Sequence, residues 1–370
     1  MSEMMGIINL SASTEKIKQL TEKRSIGTIN VAGRYKVIDF VLSNMVNSGI
    51  TNVTISTIER ARSLYNHMGS GKYWDLDRKK DGLSIFYNEE SNLDVVKKRG
   101  DIEIFKSMLN HIKRSNNKYV LMSRSYMICN VDYKEMLKFH KEKDADITIL
   151  YKSMNNHVKR FVDCDTVSLD ANSKIVSMGK NLGKKINYNI SLEMYLLKRE
   201  LLIKLIEDAI HIGEVNYFKQ SLLDQVGKLN VYGYQYRGYL ACINSTKNYY
   251  RTSMDFLDID VQSELFNIEK PIYTKVEDSP PTFYGNDSYT TNSLISSGCI
   301  VEGVVENSIL ARGVHIKKGA IVRNSIIMKD VTVNDTASIN YAVLENGVEV
   351  ERKQTLCGDK DHPFVISNNY

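Results

Sequence analysis

VVENSILARGVHIKKGAIVRNSIIMKDVTVNDTASINYAVL (Val304–Leu344) carries apolar residues at a period of six. One row runs Val304, Leu310, Ile316, Val322 and Met328. A second runs Ile309, Ile321, Ile327, Val333 and Ile339 and is broken by His315. A third, of mostly small or apolar residues, runs Val314, Ala320, Ile326, Thr332, Ser338 and Leu344. Half-buried strands of a sandwich would alternate with period two and show no sixfold register. The coils of a parallel β-helix do show one, because each coil stacks its inward side chains on the last. Residues 292–370 are therefore expected to form a short left-handed parallel β-helix of hexapeptide repeats.

Upstream, PIYTKVEDSPPTFYGNDSYTT (Pro271–Thr291) holds three of the four prolines and reads as extended chain. It closes a linker expected over 247–291. Before the linker the pattern changes again. GIINL (Gly6–Leu10), NVTIST (Asn52–Thr57), KYVLMS (Lys118–Ser123) and DITILYKS (Asp146–Ser153) are short apolar runs of buried-strand type. Helical stretches such as Ile102–Ser115 and Tyr133–Lys143 lie between them. That alternation predicts an α/β domain over 1–246, with a Rossmann-like parallel sheet between helices. Ligands of such sheets bind at the carboxyl ends of the strands.

Composition sets the outer limits. The 370 residues are 42% hydrophobic and 25% charged, an ordinary globular profile with room for two domains. A net charge of +5 suits small anions and does not argue for nucleic acid. No apolar run is long enough to span a bilayer, and MSEMMGIINL lacks the pattern of a signal peptide, so no membrane partner is expected. The five cysteines form no CxxC pair and the seven histidines no HxxxH pair. A disulfide framework and a metal cluster are both unexpected, and a reducing cytoplasm is the expected location.

Several stretches carry a family resemblance: LTEKRSIG (Leu20–Gly27), AGRYKVIDFVLSNMVNSGI (Ala32–Ile50), WDLDR (Trp74–Arg78), NVDY (Asn130–Tyr133), DADITI (Asp144–Ile149) and PIYT (Pro271–Thr274). Together with the β-helix they resemble ADP-glucose pyrophosphorylase (glucose-1-phosphate adenylyltransferase) over nearly the whole chain. The nucleotidyltransferase fold is implied. The family's chemical residues are not matched.

In the family, a GGxGxRL loop cradles the triphosphate and a KP pair follows it. Here Ser11, Ala12 and Thr14 replace the loop glycines, Lys16 the loop arginine, and Ile26 with Gly27 the KP pair. Glycines let backbone N–H groups approach phosphate oxygens, and arginine binds phosphate with a two-pronged fork that lysine lacks. Glu15 adds a carboxylate where phosphate should sit. The family's first metal aspartate falls on Tyr126, or on Ser125 if one residue is inserted. The second falls on Cys242 in GYLACINST (Gly238–Thr246). Neither a phenol nor a thiol suits a magnesium ion. At the sugar-phosphate site, the family's EKP lysine falls near Lys180 with a shift of one residue. Its SMGIYVF glycine becomes Glu193 in SLEMYLL (Ser191–Leu197). A carboxylate there would repel glucose 1-phosphate, or else face solvent on a reshaped edge. Its GTADA motif is reduced to GDIEI (Gly100–Ile104).

Other positions stay open between two roles. Trp74 and Asp75 would border a nucleotide in a catalyst, or belong to a packed loop tied by local ion pairs. Arg34 matches a basic residue with which the family binds an anionic sugar-phosphate activator. Arg312, His315, Lys317 and Lys318 could supply the other side of that site, or simply keep a solenoid face soluble.

The expectation is a regulatory subunit of the D type, without catalysis of its own. It would assemble in a heterotetramer with a homologous catalytic subunit, and Mg2+ would be needed only by that partner. Two alternatives are a diverged active sugar-phosphate nucleotidyltransferase and a stand-alone sensor of nucleotide or sugar phosphate. The resemblance does not extend to a hexapeptide acyltransferase, because His315 and His362 lack the setting of such a catalytic histidine.

Overall fold

The computed structural model describes residues 2–22, 24–57, 61–87, 100–155, 160–184, 187–213 and 217–367. Two compact units emerge. The first comprises Met1–Ala12, Phe40–Leu240 and Glu269–Tyr273; the second comprises Ser13–Asp39, Ala241–Ile268 and Thr274–Tyr370.

The first unit is built on a nine-stranded sheet. Its elements are β1 (Met4–Asn9), β2 (Asn52–Thr57), β3 (Gly82–Tyr87), α1 (Ile102–Arg114), β4 (Tyr119–Arg124), α2 (Tyr133–Glu142), β5 (Ile147–Asn155), β6 (Asp165–Leu169), β7 (Ile175–Lys180), β8 (Asn187–Lys198), α3 (Arg199–Ile212), α4 (Phe218–Leu223) and β9 (Val231–Gln235). Strands β3, β2, β1 and β4 run parallel in that order. Beyond β4 the sheet becomes mixed: β8 pairs antiparallel to β4, β5 and β6 pair antiparallel to β8, and β9 joins β5 in parallel. Every residue of β1 and β2 is buried, as a strand covered on both faces requires. Helices α1 and α3 turn Phe105, Met108, Ile112, Leu202 and Ile206 onto this sheet.

In the second unit the β-helix has three parallel sheets of five strands each. Phe283 stacks on Ile300, Ile300 on His315, His315 on Thr332 and Thr332 on Glu349, so successive coils are 17, 15, 17 and 17 residues long. The six-residue rows therefore do not stay on one face. Val304 and Ile321 are only partly buried, while the stacked inward columns are Val301–Ile316–Val333–Val350, Val305–Val322–Ile339–Leu356 and Leu310–Ile327–Leu344. Two corners cause this: the step from Ile300 to Val304 is two residues shorter than the equivalent step from His315 to Ile321, and a second corner is tight in every coil. Asn292, Asn307, Asn324 and Tyr341 each take a left-handed φ there, which tightens the turn. Behind them the hydroxyls of Ser293, Ser308 and Ser325 accept the backbone N–H of Ser308, Ser325 and Ala342, each at 3.1 Å.

The expected domain boundaries are redrawn. Residues 13–39 belong with the β-helix and not with the α/β sheet. Gly33 shows why: at φ +76° it lies so close to the coil that a Cβ would stand 2.5 Å from Ser296 Oγ and 3.2 Å from the Leu310 carbonyl. Arg24 also pairs with Glu345 at 2.9 Å. The stretch expected as a linker, 247–291, instead holds α5 (Thr246–Asp255), α6 (Ile259–Leu265) and the first β-helix strands. Within this unit Tyr249 and Tyr250 of α5 donate to the carbonyls of Asn30 at 2.9 Å and Asn324 at 2.6 Å. Proline content marked only the final part of the segment as extended. Among the described residues, no helix is long and apolar enough to cross a membrane.

Candidate functional site

The carboxyl ends of β1 and β4 lie side by side, with Asn9 opposite Arg124, and β8 places Met194 opposite Ser123. This is the edge at which a parallel α/β sheet receives ligands. Here it is filled by the chain's own charges. Glu193 is 4% exposed. One of its oxygens accepts from Lys219 at 3.0 Å and from the Tyr126 hydroxyl. The other lies 3.0 Å from Arg124 Nε. Lys219 also pairs with Asp165. Arg124 reaches Asp101 at 3.8 Å.

Each member is fixed by its own element. Asp101, just before α1, accepts from Asn9 at 2.7 Å, from Ser11 at 3.0 Å and from the backbone N–H of Phe218 at 2.7 Å. Thus one carboxylate ties the loop after β1 to the start of α4. Glu193 stands at an irregularity in the pairing of β8 with β5, between Ser191 and Tyr195, and has φ +51°. That is a backbone conformation natural to glycine and strained for glutamate. The solvent-facing alternative for Glu193 is thereby overturned.

Electrostatics follow from this crowding. Burial pushes the Glu193 carboxyl up, but Arg124, Lys219 and the Tyr126 hydrogen bond outweigh it and hold the group below its ordinary value. Asp165 moves the other way, raised by burial and by the Glu193 charge. Two cations are thus shared among three carboxylates.

The remaining positions in this unit divide clearly. Lys180 is exposed at the end of β7; the lysine that enters the cluster is Lys219. Trp74 is buried against His67, with ring centroids 5.7 Å apart, and Asp75 is exposed and ion-paired with Arg78. Arg124, Lys219, Asp165 and Asp101 were missed from the sequence. The available signal was a glutamate in an otherwise apolar strand, which demands buried cations without saying which.

In the second unit, Lys16 is exposed, and Ile26 is buried in a 3-10 turn (Ile26–Thr28). No residue from 11 to 22 takes a left-handed φ, so the loop lacks the alternating backbone geometry of an anion-binding nest. Cys242 is buried, like Tyr126 in the first unit. A buried thiol, and a phenol already donating to Glu193, do not fit the oxygen-ligand set of a magnesium ion.

A second cluster forms around Glu277. Its Oε2 lies 2.9 Å from Lys329 and 3.5 Å from Arg312. Burial and the neighbouring Arg24 lower the Lys36 pKa to about 8, with Lys275 adding to the positive field. Arg34 stacks over the Tyr35 ring at 4.8 Å and donates to its hydroxyl at 2.6 Å. His315 lies 3.2 Å from Glu302, Lys317 donates to Asn334 at 2.6 Å, and Lys318 is exposed. Of the cations expected on the coil, Arg312 is the one placed at Glu277. Lys36, Lys275 and Lys329 were not foreseen.

Residues 7–162 match the nucleotidyl transferase family model, and residues 281–364 match the model for the GlmU-like C-terminal hexapeptide region. The glycogen biosynthesis protein GlgD of Bacillus subtilis is 34% identical over 365 residues, covering 99% of this chain and 96% of that protein. GlgD of Geobacillus stearothermophilus is 37% identical with the same coverage. A glucose-1-phosphate adenylyltransferase of Clostridium perfringens is 30% identical over 338 residues, covering 90% of this chain and 86% of the enzyme.

Proposed function

Because the chain belongs to the family of GlgD glycogen biosynthesis proteins and glucose-1-phosphate adenylyltransferases, we propose that it serves glycogen biosynthesis as a regulatory subunit without turnover of its own. Its partner would be a homologous catalytic subunit that makes ADP-glucose and pyrophosphate from ATP and glucose 1-phosphate, in a heterotetramer. The observation that carries this reading is Glu193, seated between Arg124 and Lys219 at the ligand edge of the sheet. A site already neutralised by its own side chains has no free cations for an incoming phosphate. The subunit would act by favouring one arrangement of its partner, and its effect can be no larger than its differential affinity for the partner's two states.

Coexpression with the catalytic homologue of the same organism tests this directly. The two chains are expected to co-purify, and ADP-glucose synthesis by the pair should differ from that of the catalytic chain alone in substrate or effector affinity. Separate elution with unchanged kinetics would refute the reading. The isolated chain, given magnesium and saturating substrates, is expected to fall far below the roughly 1 s⁻¹ at which ordinary enzymes begin. Aspartates at Tyr126 and Cys242 should not restore turnover, since the loop from Ser11 to Ile17 still lacks its glycines and Ile26 is core. Rescue by those two changes alone would show that the loop binds triphosphate without its glycines.

Around Glu277 the cations Arg312, Lys329, Lys275 and Lys36 outnumber the carboxylate they share, unlike those at Glu193, and this excess of positive charge supports an anionic sugar-phosphate effector for the complex. Arg34 is exposed and its ring contact is local. Arg34→Ala should therefore leave Tm within a few degrees and assembly intact, while altering the response of the mixed complex to a phosphorylated sugar such as fructose 1,6-bisphosphate. An unchanged activation curve would remove Arg34 from the effector site.

A further inference from the structure

Four arginines of the second unit each face a carboxylate: Arg24 faces Glu345, Arg251 faces Asp361, Arg312 faces Glu277 and Arg323 faces Glu306. Arg34 is answered by a phenol instead. It is exposed, and its hydrogen bond and its ring contact both go to Tyr35, the next residue. Tyr35 is itself held from below. It is buried, and its ring stacks on Phe266 with centroids 5.0 Å apart and planes inclined by 28°. Phe266 closes α6, its N–H donating to the Gln262 carbonyl at 2.8 Å, and its ring meets the buried Phe256 at 6.0 Å. The backbone fixes the other side. Val31 pairs with Tyr35 and Asn30 with Lys36 in a short antiparallel hairpin, whose turn uses left-handed φ at Ala32 and Gly33. The tip of that turn lies against Ser296 and Leu310 of the coil. Guanidinium, phenol and phenyl ring thus form one stack on a seated hairpin.

A long side chain that grips an anion gives up rotamer freedom, and that cost weakens binding. A planar guanidinium that lies on an aromatic face and donates to its hydroxyl has given up much of that freedom beforehand. The rest of its donor fork is left for an incoming anion. We propose that Tyr35 is a positioning residue, whose hydroxyl and Phe266-backed ring hold the Arg34 guanidinium in place for the anionic group of an effector. The inference rests on the effector reading of Arg34 above. It goes beyond that reading by assigning part of the affinity to a buried residue that acts through its neighbour.

The test titrates fructose 1,6-bisphosphate into the full chain by calorimetry, for the parent, Tyr35→Phe, Arg34→Ala and the double variant, with thermal melts as the control of fold. Tyr35→Phe keeps the ring and its stack and removes only the hydroxyl. It is expected to weaken binding about two- to tenfold, the range set by immobilising one long side chain, with Tm within a few degrees of the parent. Arg34→Ala should weaken binding further. In the Arg34→Ala background, Tyr35→Phe should change nothing more, because it acts only through the guanidinium. A packing role would instead lower Tm by more than a few degrees, or weaken binding by the same factor in both backgrounds. Either result overturns the proposal. Unchanged affinity in Tyr35→Phe overturns it too, and leaves Arg34 as a ligand where Arg34→Ala alone weakens binding. If the parent does not bind, or Arg34→Ala binds like the parent, the effector reading of Arg34 falls and this inference falls with it. Phe266→Leu is a second measure. It should weaken binding in the parent background only, and an equal loss in both backgrounds would count against the stack.

Discussion

Arg124→Met is expected to lower the stability of the chain by about 3 to 5 kcal/mol, the usual cost of breaking a buried ion pair from one side. For a unit of this size that is on the order of 10 °C in Tm. The loss comes mainly from what is left behind. Glu193 is buried at 4% exposure and its depressed carboxyl depends on Arg124 and Lys219, so removing the guanidinium strands a charge in the sheet. The pH dependence has a definite sign. A carboxyl held below its unfolded value stabilises the fold above that value, and the contribution is lost as pH falls through the folded pKa. The parent should lose this contribution only below the ordinary glutamate range, and the variant should show less of it. A double variant, Arg124→Met with Glu193→Gln, should recover a substantial part of the loss, because partners in one network do not add. Thermal melts of all four proteins of the cycle check this. Strict additivity would mean that the two residues do not act as a pair.

Ile327→Asp should be the most damaging single change in the second unit. Ile327 is fully buried and stacked between Leu310 below and Leu344 above. A carboxylate there has apolar neighbours along its column and no cation, at a cost of several kcal/mol in rough terms. Each coil is the template for the next, so a break in the middle of the column propagates to both sides. The variant, and a truncation near Tyr289, should fail to co-purify with the catalytic homologue. If the truncated chain still assembles and still modulates the partner, the β-helix is dispensable for assembly.

Much of the fold was legible because it depends on local pattern. The runs Asn52–Thr57, Lys118–Ser123 and Asp146–Ser153 cover β2, β4 and β5 closely, and Ile102–Ser115 overshoots α1 by one residue. Short apolar runs bounded by polar turns announce buried strands wherever they occur. The periodicity also announced the β-helix, but not its coil length. The coils are tightened to 17 residues at the corner where Asn292, Asn307, Asn324 and Tyr341 adopt left-handed φ, the 15-residue coil is shorter again between Ile300 and Val304, and an apolar row counted in sixes slips across both. The linker was misjudged because α5 depends on its tyrosines reaching Asn30 and Asn324, contacts invisible to a local reading.

The candidate site divides in the same way. Which chemical groups are expected to be absent followed from the sequence alone, through its resemblance to the family: glycines from the loop after β1, and aspartates at Tyr126 (or Ser125) and Cys242. Residue type at an aligned position is a property of the chain. The sequence also places a glutamate at residue 193, where the resemblance implies a glycine. Only the tertiary structure decided what that glutamate does. Its partners come from the end of β4 and from α4, far along the chain, and are brought to it by strand register and by the carboxylate of Asp101. A charge's meaning is set by what lies within a few ångströms of it in a medium that screens poorly, and that neighbourhood exists only once the sheet has formed.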